Sequence, residues 1–80
     1  MDRKTYEREM RKARRMEHNR DRIDYWQGYK RGLRRCFFGE DYGTKQEHDL
    51  WMSLADDPDK KKAECGRGYV DALQLEGGKG

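Results

Sequence analysis

Valine and isoleucine occur once each in this chain and threonine twice, and no run alternates polar with apolar residues. Sheets are built from such residues at period two, so there is almost nothing here to build one from. The large apolar side chains available for a core are Ile23, Trp26, Tyr29, Leu33, Phe37, Phe38, Leu50, Trp51, Leu54, Tyr69, Val70 and Leu73. Their spacing is helical, and they predict a single all-α domain packed between positions 23 and 75. With 44% of its 80 residues charged, the chain can bury little. A core of this size supplies about 3–5 kcal/mol, which a homodimer or another partner would supplement.

Three helices are expected: a long basic one over about 3–38, a short one over 45–55 and a third over 58–75. The first is one helix, or two joined near His18-Asn19-Arg20-Asp21. Thr44-Lys45-Gln46-Glu47 has the form of a capping box and opens the second helix. Asp57-Pro58 reads as N-cap and first residue of the third. The expected core joins Trp26, Leu33 and Phe37 to Leu50, Trp51, Leu54, Val70 and Leu73. These readings divide the chain into a basic helical arm over 1–22, a helical core over 23–76 and a loose tail over 77–80.

Gly28, Gly32, Gly66 and Gly68 fall inside predicted helices, where each costs roughly 1 kcal/mol relative to alanine. The commoner reason to tolerate them is a close helix crossing. The alternative is a phosphate backbone or partner surface lying against the glycine face.

Charge is unevenly spread. Residues 1–35 hold thirteen basic and six acidic residues, whereas 36–80 hold six basic and ten acidic. A basic segment joined to an acidic body suggests a polyanionic partner. Lys4, Arg8, Arg11 and Arg15, with Arg22, share one side of a helical wheel, and Arg14 lies beside them. Such a one-signed track suits phosphates. Arginine outnumbers lysine seven to two over 1–22, and guanidinium groups bind phosphate bidentately and stack on unpaired bases. The bland alternative is a solvated, charged helix. Tyr25, Trp26 and Tyr29 follow on the same face; rings at that spacing are more often core, with base stacking as the alternative.

Catalytic and metal signatures are missing. The sole serine, Ser53, stands outside any Gly-x-Ser-x-Gly elbow, and the glycines form no phosphate loop. His18, His48, Cys36 and Cys65 lack the paired spacing of zinc ligands. The expectation is a non-enzymatic protein without cofactor or metal. Met1-Asp2-Arg3-Lys4 leads into no apolar stretch, nothing approaches a membrane span, and the two distant cysteines read as reduced thiols. Together these predict a cytoplasmic protein with no membrane partner.

Gly28-Tyr29-Lys30-Arg31-Gly32-Leu33 and Gly68-Tyr69-Val70-Asp71-Ala72-Leu73 repeat one pattern, Gly-Tyr-x-x-small-Leu. On these motifs, with the basic N-terminus before them, the chain resembles the ribosome modulation factor family. The resemblance implies two helices joined by a linker, binding to the small ribosomal subunit near the messenger exit region, and inactive ribosome dimers. It also implies roles for Tyr29, Arg31 and Arg67 at an RNA surface. The linker here is longer and carries a helix, and the body is acidic where the family is basic. By composition alone, the arm also resembles the arginine-rich RNA-hairpin binders of phage antitermination proteins.

The leading expectation is therefore a small RNA- or ribosome-associated regulator. Lys4, Arg8, Arg11, Arg14, Arg15, Arg22 and Arg31 would bind RNA, with Tyr25, Tyr29 and Arg67 as stacking or partner contacts. The alternative is a small phage-type or bacterial regulator that binds and inhibits a larger protein complex. DNA binding comes third, since no recognition helix can be assigned.

Overall fold

The computed structural model describes residues 1–20, 22–39 and 42–77. The described residues are all-α and form four helices, not three: α1 (Arg3–His18), α2 (Ile23–Phe38), α3 (Lys45–Leu54) and α4 (Lys60–Gly77). Of the expected tail over 77–80, Gly77 ends α4 and the other positions lie outside the described residues.

The basic stretch over 3–38 is two helices rather than one, and the break falls where the sequence allowed a joint. Arg20 and Arg22 adopt left-handed backbone angles, with φ of 61° and 56°. This conformation is costly for a residue with a Cβ. The Arg22 side chain offsets part of that cost. Its guanidinium lies 4.0 Å from the centre of the Tyr25 ring, and its Nη2 pairs with Glu64 at 3.0 Å. The reversal lays α1 back along α2, where Met10 and Ala13 are buried with Tyr25, Tyr29, Leu33 and Ala72. Charge and composition point to an arm outside the core over residues 1–22. Instead, Met10 and Ala13 give α1 one apolar edge, and that edge is part of the core.

Helix ends follow local chemistry. The Asp2 carboxylate accepts from the Thr5 N–H at 2.8 Å and caps α1. The capping box of α3 is complete. The Thr44 hydroxyl accepts from the Glu47 N–H at 3.0 Å, and the Glu47 carboxylate accepts from the Thr44 N–H at 3.2 Å. The start of α4 lies two residues later than expected. Asp59 accepts from the Lys61 and Lys62 N–H groups, while Asp57 accepts from Asp59 and so shapes the turn before it.

α2 and α4 form the principal contact. A Cβ added to Gly28 would collide with the carbonyl oxygen of Cys65, and one added to Gly68 with that of Tyr25. At Gly32 it would come within 2.6 Å of the Tyr69 carbonyl oxygen and 2.7 Å of the Ala72 Cβ. The glycines therefore mark a backbone-to-backbone crossing, with the two Gly-Tyr motifs facing each other. Positions 28, 32 and 36 of α2 meet 65, 69 and 72 of α4, so the two helices run in the same sense. A parallel pair needs a return connection, and α3 supplies it. Gly66 sits under Leu54 and Ala55 at the end of α3.

This close approach explains why the core differs from expectation. Of the eight residues proposed for it, Leu33 alone is fully buried, and Leu50 is 58% exposed. Where two backbones nearly touch there is no room for Leu, Val or Trp between them. The interface is filled by glycine, alanine and tyrosine rings instead. Trp51 is half-buried and covers Tyr69, with ring centres 5.7 Å apart.

Candidate nucleic-acid interface

α1 buries Met10 and Ala13 and turns Lys4, Arg8, Arg11 and Arg15 to the opposite, exposed side. These positions follow one another at intervals of four, three and four, which keeps them on one ridge. Arg14 is exposed beside them.

The carboxylates of α1 are engaged elsewhere. Glu7 accepts from Arg3 at 3.3 Å rather than from Arg11, the i, i+4 partner that the sequence also offers. Glu17 pairs with Lys30 of α2 at 2.7 Å. Glu9 receives Lys12 at 2.8 Å and the Tyr29 hydroxyl at 2.7 Å. Burial alone would raise the Glu9 carboxyl, but Lys12 and Tyr29 outweigh it and hold it below the usual carboxylate range. Among the described residues, Lys4, Arg11, Arg14 and Arg15 have no carboxylate partner. Arg8 approaches Glu9 only to 3.9 Å and is 68% exposed. The acids thus pin α1 to α2 and to itself, and leave five cations facing outward.

The other expected contacts stand differently. Arg22 is tied to Glu64 and Tyr25, as described above. Arg31 pairs with Glu47 at 2.9 Å, with its guanidinium 5.1 Å from the Trp51 ring and 5.2 Å from Tyr42. It fastens α2 to α3. Arg67 is exposed and pairs with Glu64 at 3.7 Å. Tyr25 and Tyr29 are core residues. Their rings are buried and leave no face for a base. Tyr25 donates to Asp71 at 2.6 Å, and burial followed by that carboxylate pushes its hydroxyl up to about 12. Burial and Glu9 raise Tyr29 as well.

Tyr6 stacks face to face on Phe37 at 4.3 Å, and Phe38 meets both rings edge-on. Phe38 is 52% exposed. The i, i+1 pair Phe37-Phe38 at the end of a helix was a signal for this, since adjacent positions lie about 100° apart and the second ring falls towards the edge of the buried stripe. His48 is used inside the fold, with Nδ1 2.6 Å from the Tyr69 hydroxyl. Among the described residues no group of three or more His, Cys, Asp or Glu is placed to hold a metal, and no helix is long and apolar enough to cross a membrane.

Compared with protein-family models, with curated proteins and with solved structures, the chain gives no match.

Proposed function

We propose that this protein binds RNA, ribosomal RNA foremost, through the outward ridge of α1, and that it acts as a non-enzymatic regulator. The observation that carries this reading is the division of charge on α1. Its three carboxylates are spent on Arg3, Lys12 and Lys30, while Lys4, Arg8, Arg11, Arg14 and Arg15 stand outward. A helix that only needed solubility would pair its surface cations with neighbouring acids. A ridge of guanidinium groups at helical pitch fits a phosphate track. The crossing of the two Gly-Tyr motifs is in keeping with the helix pair that the resemblance to ribosome modulation factors implies, and that resemblance directs the reading to the ribosome.

The test is a binding titration of a structured ribosomal RNA fragment and a DNA duplex of equal charge, each at two salt concentrations. RNA binding that is tighter than DNA binding and falls steeply with salt is expected. Replacing Arg8, Arg11 and Arg15 by alanine should reduce the salt slope by about 0.7–0.9 for each phosphate no longer neutralised, with the melting temperature nearly unchanged. Weak, salt-insensitive binding to both nucleic acids would refute the reading. Inhibition of a larger protein complex would then take its place, with the exposed Leu50 and Met52 of α3 as the contact surface.

A further inference from the structure

The rings at the far end of α2 bear on which RNA the ridge receives. Phe38 is the most exposed aromatic side chain of a cluster comprising Tyr6, Phe37, Phe38 and Tyr42. Phe38 and Tyr42 lie nearly parallel, 22° apart, with centres separated by 6.1 Å. Tyr6 links the cluster to the ridge. It forms one wall of a shallow concavity of about 300 Å³ along α1, whose other walls are Glu7, Met10, Arg11 and Arg14. Glu7 is the carboxylate in this wall, and Arg3 takes it. Arg34 lies one turn before Phe38 and, among the described residues, has no ion pair. Aromatic faces and guanidinium groups with no ion pair among the described residues therefore share one continuous strip.

We infer that the Tyr6–Phe38 patch receives an unpaired base of the RNA whose phosphates lie on the α1 ridge. This rests on the reading under Proposed function and narrows its ligand to RNA that presents a splayed base beside a helical stem. A base offers a flat π face and a phosphate on one nucleotide, and here rings and guanidinium groups lie at neighbouring positions. Within a continuous duplex the base faces are stacked on each other and only the phosphates reach the protein. A purely apolar partner would match Phe38 but not Arg11, Arg14 and Arg34.

The experiment compares a stem–loop RNA with a blunt RNA duplex of equal phosphate number, using the full chain. Phe38→Ala, at a side chain more than half exposed, should keep the melting temperature within a few degrees. It should weaken stem–loop binding roughly tenfold and leave duplex binding and its salt slope unchanged. Phe38→Trp should restore the stem–loop affinity. In contrast, Arg11→Ala with Arg15→Ala should weaken both RNAs alike. Equal effects of Phe38→Ala on the two RNAs, or none on either, would overturn the stacking inference and leave the phosphate ridge standing. Failure of both RNAs to bind the unaltered chain would overturn the inference together with the reading beneath it.

Discussion

Gly28→Ala tests the crossing on which the whole fold depends. In an exposed helix this substitution stabilises by about 1 kcal/mol, because alanine loses less backbone freedom on folding. Here the new methyl carbon would collide with the Cys65 carbonyl oxygen and lie 2.7 and 2.9 Å from that residue's carbonyl carbon and Cα. All three obstacles are backbone, so no rotamer change removes them. α4 must move away from α2, and the opposite glycine contact, Gly68 against Tyr25, opens with it. Overpacking costs about 1–3 kcal/mol, and a backbone obstacle belongs in the upper half of that range, about 2–3 kcal/mol. After the propensity gain, a net loss of roughly 1–2 kcal/mol remains. For a domain of this size that lowers the melting temperature by roughly 5–15 °C. Thermal unfolding followed by circular dichroism measures it, with the exposed neighbour Gln27→Ala as control, expected within about 0.5 kcal/mol of the parent. A Gly28→Ala melting temperature equal to or above the parent's would refute the close crossing.

Other outcomes follow from the same geometry. Trp51→Ala should cost about 1–2 kcal/mol, not the roughly 3–5 of a fully buried tryptophan, because α3 buries none of its residues completely; urea denaturation measures this. Arg31→Ala should lower the melting temperature by removing the link to Glu47 and Trp51 yet leave the salt slope of RNA binding unchanged, whereas Arg15→Ala should do the reverse. The raised Tyr25 hydroxyl means that the folded state holds this proton more tightly than the unfolded chain does. Its stabilising contribution is complete below about pH 10 and is lost as pH rises towards about 12. Tyrosinate absorbance and circular dichroism should therefore change together in that window, and Tyr25→Phe should make the alkaline loss of stability shallower. At the other end, Glu9 contributes above the ordinary carboxylate range and loses that contribution as pH falls through it, an effect Glu9→Gln should abolish in acid titrations of the melting temperature.

Local chemistry was open to reading along the chain. Strand-poor composition implied helices, Thr44 and Glu47 announced their capping box, and four glycines inside helical stretches signalled a close crossing. The outward ridge of Lys4, Arg8, Arg11 and Arg15 was likewise legible, because a helical wheel depends only on spacing. The linear chain allowed a joint near His18-Asn19-Arg20-Asp21 but did not disclose that the chain reverses there, at Arg20 and Arg22. No glycine or proline marks it, and both residues take a backbone conformation that propensity disfavours. It is sustained from outside the segment, by Glu64 of α4 and by the burial of Met10 and Ala13 against α2.

That reversal decided much else. It made α1 part of the core and gave Glu9 and Glu17 their partners on α2. It also brought Tyr6 onto Phe37, thirty-one positions away, to form an aromatic patch that no local pattern encodes. Helix type, the capping box of α3 and the sign of each face are settled within a few residues and can be read along the chain. Which cations remain unpaired depends on which acids are claimed across the fold. Which rings reach the surface depends on how closely two backbones approach. Both are properties of contacts between residues far apart in the chain, which exist only once the helices have packed.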